Sequence, residues 1–248
     1  MIITSFDNAT VKAVAKLRNK KYRDEQNKYV IEGYRSVKDS LPYVNQPLLI
    51  FSESAFSQLG DEFARFDKLV CSDAVFNKIS DTENSQGIIC VANKISITPD
   101  FVCDRVLFLD RVRDPGNMGT IIRTALAVGF KDIYCRDCVD VYNPKVVRSA
   151  MSAVSRVNIY EVDEKFLSCL KENGYTVLCA DMQGESIFDY KILGEKLCLV
   201  LGNEANGVDE CVLAQSDTVI SLPMQEAESL NVGVCASVMM YQLRYAKR

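Results

Sequence analysis

Six short apolar runs in the second half of the chain place the strongest limit on its fold. Each run is short enough to be one buried strand, and helical patterns lie between most of them. This alternation predicts an α/β fold with a largely parallel sheet, because parallel strands need helical crossovers and are buried on both faces. The predicted strands are Val106–Leu109, Asp132–Cys135, Val157–Tyr160, Tyr175–Ala180, Leu197–Leu201 and Thr218–Leu222.

The first half of the chain predicts a smaller α/β domain. Residues 8–19 have apolar side chains at helical spacing, with Asn8 as a candidate N-cap. Further helices are predicted over Ser36–Leu41, Glu53–Leu59 and Asp73–Ile79, and strands over Leu48–Phe51, Leu69–Cys71 and Ile88–Val91. We therefore expect one domain over residues 1–94, a linker over 95–103 and a second domain over 104–248.

Composition excludes several kinds of chemistry. The 248 residues include no histidine, so histidine-based triads and most catalytic zinc sites are ruled out. The ten cysteines lie mainly in apolar stretches and are typical of a reduced, cytoplasmic protein. The single Cys135-x-x-Cys138 pair cannot complete a tetrahedral zinc site, and we expect no metal. The sequence contains neither a secretory leader nor an apolar run of ~20 residues, so no membrane association is expected.

Charge is distributed unevenly along the chain. Residues 1–38 contain nine basic and four acidic side chains, a local net charge of +5 in a chain whose net charge is −4. A basic segment on an acidic protein is a candidate surface for nucleic-acid phosphates, and a solvated helix face explains the charges equally well. The candidate RNA-binding residues are Lys12, Lys16, Arg18, Lys20, Lys21, Arg23 and Arg35.

The segment 109–125 joins a strand to a helix through a Pro-Gly turn. A strand end at Asp110 and a helix start near Asn117 favour an anion or nucleotide site, although neither the Rossmann nor the P-loop glycine pattern is present. Arg123 lies opposite the apolar side of this helix, among small neighbours. Helical side chains lean toward the N-terminus, so Arg123 is expected to reach back toward the turn; a surface arginine in a salt bridge is the alternative.

Two later segments place polar residues directly after predicted strands. In Gly202-Asn203-Glu204-Ala205-Asn206-Gly207, the glycines permit positive φ angles around one carboxylate. In Leu222-Pro223-Met224, a strand ends at a proline, and Ser229 is expected to begin the last helix. Taken alone, Glu204 would more often be a structural or solvated carboxylate, and Ser229 and Asn231 would only support a helix start.

Together, the three segments resemble the SpoU (TrmH) family of RNA ribose methyltransferases in the SPOUT superfamily. The family pattern of Asn-x-Gly-x-x-x-Arg, then Gly-Asn-Glu-Gly-x-Gly, then Ile-Pro-Met followed by Ser-Leu-Asn occurs here in the same order. Ala205 stands where the family has glycine, and Leu222 stands where it has isoleucine. The segment Tyr29–Val37 resembles the family's L30e-like substrate-binding domain, so the resemblance covers nearly the whole chain.

The resemblance implies a fold, a reaction and a set of site residues. It implies a C-terminal domain with a deep trefoil knot that binds S-adenosylmethionine, works as a homodimer and methylates a ribose 2′-hydroxyl. It assigns catalysis to Asn117, Arg123, Glu204, Ser229 and Asn231. It assigns cofactor binding to Leu201, Gly202, Asn203, Gly207, Leu222, Pro223, Met224 and Leu230.

Four alternatives stay open at the level of sequence. Ribosomal RNA is favoured as substrate over transfer RNA, because L30e-like modules are commoner among the family's ribosomal members. A catalytically silent RNA-binding relative would keep the basic N-terminal module and lose the cofactor. An unrelated nucleotide-binding enzyme would explain the Pro-Gly helix start only. For Arg123, a role as a base competes with a role as a phosphate clamp, which we favour because a guanidinium keeps its proton in proteins.

Overall fold

The computed structural model describes residues 2–191, 194–226 and 229–246. Its contacts divide the chain into two compact units. One contains the residues up to Ser96 together with Tyr142–Ser155, and the other contains Ile97–Val141 and the residues from Arg156 onward. The segment 142–155 therefore folds with the N-terminal unit although it lies in the second half of the chain.

The N-terminal unit is built on a mixed five-stranded sheet. Its strands are β1 (Ile2–Ile3), β2 (Lys28–Glu32), β3 (Leu48–Ser52), β4 (Lys68–Cys71) and β5 (Ile88–Asn93). They are arranged in the order β1-β4-β3-β5-β2, with β5 antiparallel to both of its neighbours. The helices are α1 (Ala9–Lys16), α2 (Lys20–Gln26), α3 (Tyr34–Ser40), α4 (Glu53–Leu59), α5 (Asp73–Ile79) and α7 (Pro144–Ala150).

Most predicted elements of this unit are present. The Asn8 side chain caps α1 by accepting from the backbone N–H groups of Thr10 and Val11. The strands β1 and β2 were not predicted, because β1 has only two residues and β2 has only three apolar residues between Lys28 and Glu32. Within this unit α7 packs on β2, and the Tyr142 ring lies 4.8 Å from that of Tyr29.

The C-terminal unit contains six strands in one fully parallel sheet. They are β6 (Arg105–Asp110), β7 (Asp132–Arg136), β8 (Asn158–Glu161), β9 (Tyr175–Ser186), β10 (Lys196–Leu201) and β11 (Thr218–Ser221). Their order is β11-β9-β10-β6-β7-β8, and every pairing is parallel. The predicted parallel α/β fold is confirmed; the knot stays a prediction of the family resemblance. Only β9 differs clearly from expectation, because it continues past Ala180 to Ser186.

The helices of this unit are α6 (Pro115–Val128), α8 (Phe166–Glu172), α9 (Glu210–Leu213) and α10 (Val232–Tyr245). The long helices α6 and α10 pack against each other. Their close approach depends on Gly233, where a Cβ would lie 3.2 Å from the Cβ of Thr120. The hydroxyls of Thr124 and Ser237 also share a hydrogen bond of 3.0 Å across this contact. In the ranges that the structure describes, no helix is long and apolar enough to cross a bilayer.

Candidate active site

The first part of the site is the start of α6, directly after β6. The Asp114 side chain caps the helix by accepting a 2.8 Å hydrogen bond from the backbone N–H of Asn117. Pro115 occupies the first helical position, where its missing N–H costs no hydrogen bond. The helix therefore begins two residues before the predicted start, and Asn117 lies in its first turn.

The second part is the glycine loop, residues 202–208, which follows β10. The loop closes on itself because the backbones of Asn203 and Gly207 exchange hydrogen bonds of 2.8 and 3.0 Å. Gly202 is required by this closure, since a Cβ there would lie 2.3 Å from the Gly207 carbonyl carbon. Gly207 has a φ of +65°, whereas Ala205 has no positive φ. Alanine therefore fits the position where the family has glycine.

Asn203 also stabilises the inside of the glycine loop through its side chain. Its Oδ1 accepts from the backbone N–H groups of Ala205 and Asn206, at 2.9 and 3.3 Å. Its Nδ2 donates to the Arg111 carbonyl at 2.8 Å, which connects the loop to the end of β6. The predicted cofactor residue Asn203 thus shapes the loop through its own side-chain bonds.

Three of the five predicted catalytic side chains form one hydrogen-bonded chain. The Nδ2 of Asn231 donates to the Oδ1 of Asn117 at 2.7 Å, and the Nδ2 of Asn117 donates to the Oε1 of Glu204 at 2.9 Å. The same Glu204 oxygen accepts from the Asp114 backbone N–H at 3.4 Å. Residues far apart in sequence are brought together here because β6 and β10 are adjacent in the sheet. Glu204 is therefore held by hydrogen bonds within the candidate site and is not merely a solvated loop carboxylate.

The start of α10 differs from the prediction. Asn231 is the N-cap, and its Oδ1 accepts from the backbone N–H groups of Gly233 and Val234 at 2.9 and 3.2 Å. The expectation that Ser229 begins this helix was wrong, because Asn231 provides the cap and α10 starts at Val232. Ser229 is exposed and lines the cleft described next.

A cleft of about 410 Å³ lies at the carboxyl ends of the central strands. Most predicted cofactor residues line it: Leu201, Gly202, Asn203, Gly207, Leu222, Met224 and Leu230. Glu204 and Ser229 line it as well, whereas Pro223 is exposed and is absent from the lining. Sequence reasoning missed Ala180, Asp181, Met182, Ser221, Cys235 and Met239. The signal that could have found Asp181 is its place just after the predicted strand Tyr175–Ala180, where ligand sites of α/β sheets lie.

Arg123 is separate from the hydrogen-bonded chain. Its side chain is exposed on α6 and makes no hydrogen bond or ion pair with any residue that the structure describes. Among the residues that the structure describes, Asn117, Glu204, Ser229 and Asn231 do not contact the Arg123 side chain, and no acidic partner supports the alternative of a salt bridge. Arg113, in the loop before α6, is also exposed and has no partner in the described ranges. Both guanidinium groups are available to an external anion.

The basic N-terminal residues fall into two groups. Arg23 was wrongly predicted to bind RNA: its side chain is 2% exposed and donates to the Leu17 and Arg18 carbonyls at 2.7 Å, which stabilises the turn before α2. The others lie at the surface beside acidic or aromatic partners. These pairs are Lys12 with Asp7, Lys16 with Tyr22, Arg18 with Asp81, Lys20 with Asp24, Lys21 with Glu25 and Arg35 with Asp39. Exposed pairs of this kind are weak, so these side chains can exchange partners with phosphates.

A parallel α/β unit with a loop-lined cleft at its strand ends is a typical ligand-binding arrangement of α/β enzymes, and comparison with known proteins identifies it as a SPOUT-type methyltransferase and shows its family. The SpoU rRNA methylase family matches residues 104–241, and the MRM3-like substrate binding domain matches residues 8–90. The chain belongs to the SpoU rRNA methylase family and is an RNA methyltransferase.

Individual relatives cover almost the whole chain. The chain is 31% identical to the 23S rRNA (guanosine(2553)-2′-O)-methyltransferase RlmP of Bacillus subtilis, over 98% of each protein. It is 29% identical to an uncharacterized tRNA/rRNA methyltransferase of Synechocystis sp., over 98% of this chain and 93% of the relative. Among solved structures, the AdoMet-bound rRNA methyltransferase from Sinorhizobium meliloti is 26% identical with a TM-score of 0.86, covering 98% of this chain and 97% of that one.

Proposed function

We propose that this protein transfers the methyl group of S-adenosylmethionine to a ribose 2′-hydroxyl of ribosomal RNA. The observation that carries the proposal is the Asn231–Asn117–Glu204 hydrogen-bonded chain at a cleft, in a member of a family of RNA methylases. The 2′-O activity and rRNA substrate printed for the Bacillus subtilis relative support the choice of atom and RNA.

The cleft fits S-adenosylmethionine in size and charge. Its volume of about 410 Å³ is within the range of small-molecule sites. Its described lining includes the carboxylates of Asp181 and Glu204 but neither lysine nor arginine, which favours a ligand with positive groups. Gly207 lets a ligand approach the backbone closely, and Leu201, Leu222, Met224 and Leu230 offer apolar surface. The cofactor would supply a methyl group already activated by its sulfonium.

The Asn117 amide holds the site in one arrangement. Its oxygen accepts from Asn231 while its nitrogen donates to Glu204, so rotating the amide by half a turn would place like groups against each other at both ends. The Oε2 of Glu204 has no hydrogen-bond partner among the described residues and can accept from a ribose hydroxyl. These residues thereby orient the 2′-oxygen for in-line attack, and alignment is most of what the transfer requires.

Arg123 supplies positive charge. Its guanidinium is exposed, keeps its proton and presents a fork of N–H donors that matches a phosphate. We assign it to the RNA phosphate beside the reacting ribose, where it also stabilises negative charge as the 2′-oxygen develops it. If Arg123→Lys kept near-full activity, this bidentate role would be wrong.

We further propose that the protein is a homodimer through α10. This helix exposes an apolar stripe, Leu230 just before it and Val234, Val238, Tyr241 and Tyr245 along it. Exposed apolar stripes rich in tyrosine are typical of protein interfaces. A second copy is the favoured occupant because Arg123 makes no contact with Asn117, Glu204 or Asn231 of its own chain, and a symmetric dimer can bring it to the partner's site.

Mixing two impaired variants tests the dimer. If each site combines Arg123 of one chain with Asn231 of the other, mixed dimers of Arg123→Ala and Asn231→Asp chains contain one intact site and regain activity. Each variant alone keeps its reduced activity. A monomer by light scattering, or no recovery after verified subunit exchange, would reject the shared site.

The reaction itself is tested with labelled S-adenosylmethionine and unmodified ribosomal and transfer RNA, supplied separately. Because a 2′-O-methyl group blocks alkaline cleavage of the neighbouring phosphodiester, label should appear in alkali-resistant dinucleotides from ribosomal RNA. Arg123→Ala should abolish that label while binding of S-adenosylhomocysteine persists. If label appeared only in transfer RNA, transfer RNA would be the substrate in place of ribosomal RNA. RNA binding without cofactor binding would indicate a catalytically silent relative.

A further inference from the structure

A buried carboxylate lies directly behind the glycine loop. Asp110, the last residue of β6, is fully buried and accepts three hydrogen bonds. The donors are Nη1 of Arg136 at 2.6 Å, Nε of Arg111 at 3.3 Å and the backbone N–H of Asp209 at 2.8 Å. The third bond is the informative one, because Asp209 follows the glycine loop immediately.

Arg111 contacts both ends of the same loop. Its carbonyl accepts from Nδ2 of Asn203 at 2.8 Å, and its Nη1 pairs with Oδ2 of Asp209 at 3.0 Å. Arg111 has a φ of +57°, a conformation that a non-glycine residue adopts at a cost. Two adjacent residues at the end of β6 therefore hold the glycine loop at its beginning and at its end.

Stability alone gives a poor account of this arrangement. Burying an ion pair costs desolvation that apolar side chains would avoid. Burial tends to lower the pKa of Arg136, but its hydrogen bond with Asp110 and the nearby negative charges raise that pKa overall, so the guanidinium keeps its charge. What the ionic cluster provides and an apolar cluster could not is a pair of directed bonds to Asp209, whose backbone N–H donates to Asp110 and whose carboxylate pairs with Arg111.

We propose that Asp110 and Arg111 are positioning residues that hold the glycine loop in its cofactor-binding conformation. They act through Asp209 and, by the main-chain carbonyl of Arg111, through Asn203, with Arg136 as the counter-charge of Asp110. The inference rests on the proposed function, since it assigns the loop to S-adenosylmethionine. It predicts that weakening the bonds of Asp110 and Arg111 to Asn203 and Asp209 weakens cofactor binding while the C-terminal unit stays folded.

The test measures the Kd of S-adenosylhomocysteine by calorimetry for three variants of the full chain. In Asp110→Asn one acceptor oxygen and the charge are lost, and we expect the Kd to rise by at least about tenfold, since small misplacements of a binding loop are costly. Asp209→Asn keeps the cap of α9 but weakens the pairing with Arg111, so a smaller rise is expected. Because Asp209 is only half-buried, this variant should fold even if the first does not.

Asp132→Asn is the matched control. Asp132 is also fully buried in the same sheet, but it lies at the amino end of β7 and bonds Nδ2 of Asn158 at 2.7 Å. A stability cost without a change in Kd is expected there. Hydrogen exchange of residues 202–209 should increase in Asp110→Asn and not in Asp132→Asn. If Asp110→Asn and Asp209→Asn bound S-adenosylhomocysteine with the Kd of wild type, the inference would be overturned. If wild type did not bind it at all, the proposed function would be overturned instead.

Discussion

The Nδ2 of Asn231 donates a 2.7 Å hydrogen bond to the Oδ1 of Asn117, while the Oδ1 of Asn231 caps α10. One side chain thus performs two tasks with its two ends. The bond from Asn231 fixes which way the Asn117 amide faces, and that amide in turn donates to the Glu204 carboxylate. The start of the last helix and the orientation of the candidate catalytic groups are therefore coupled through a single residue.

Asn231→Asp should separate these tasks. The new carboxylate can still cap α10, so the melting temperature should change little, whereas Asn231→Ala should lose ~1 kcal/mol of stability with the cap. The carboxylate cannot donate to Asn117, and a turned Asn117 amide would direct its oxygen at Glu204. Methyl transfer should therefore fall at least about tenfold in both variants, because the bond orients a reacting group. Thermal melts and single-turnover methylation measure the two effects.

Combining Asn231→Asp with Glu204→Gln tests the same chain from its other end. With a glutamine at position 204 the Asn117 amide can turn over and satisfy both neighbours again. The double variant should be more stable than the sum of the single variants predicts, by ~1 kcal/mol in a double-mutant cycle. Strict additivity would show that the three side chains are not coupled.

Gly202→Ala should abolish cofactor binding. Its Cβ would lie 2.3 Å from backbone atoms of Gly207 and Val208, so the glycine loop could not close. Ala205→Gly changes the same loop by one methyl group without a clash and should leave the Kd of S-adenosylhomocysteine within about twofold. Calorimetry on both variants checks the contrast, and tight binding by Gly202→Ala would mean that the loop can close in another way.

Arg113→Ala should weaken RNA binding without affecting the cofactor. The guanidinium is exposed beside the start of α6 and has no partner in the described ranges, so an RNA phosphate is its natural ligand. The slope of log Kd against log salt concentration should decrease by ~0.7 if one single-stranded phosphate contact is lost. Arg65→Ala is the control, since Arg65 lies over the Phe66 ring in the N-terminal unit. Identical slopes for both variants would exclude a contact by Arg113.

Arg23→Ala should lower the stability of the protein without weakening RNA binding. Its buried guanidinium donates to the carbonyls of Leu17 and Arg18, and removing it leaves acceptors unsatisfied. The free energy of unfolding should drop by ~2 kcal/mol. The salt slope of RNA binding should stay as in wild type, whereas Lys21→Ala, which removes an exposed charge, should lower the slope without affecting stability. Chemical denaturation and salt titration distinguish the two.

The sequence alone predicted the parallel α/β sheet, the order of the three polar, glycine-containing segments and the residue types of the candidate site. It did so because strand alternation, a Pro-Gly helix start and a glycine-rich loop are local patterns, read within about ten residues. Asn117, Glu204 and Gly202 could be selected in this way. The prediction placed the start of α10 at Ser229, two residues before the actual N-cap, Asn231. Both side chains can cap a helix, and only the backbone shows which one does.

Which of these residues contact each other is visible only in the folded chain. The Asn117–Glu204 bond depends on the pairing of β6 with β10, and nothing local in the sequence specifies that pairing. The folded chain likewise buries Arg23, keeps Arg123 out of contact with Asn117, Glu204 and Asn231, and joins the segment 142–155 to the N-terminal unit. Burial and long-range hydrogen bonds are properties of the packed chain, so composition and spacing could propose these residues but could not assign their contacts.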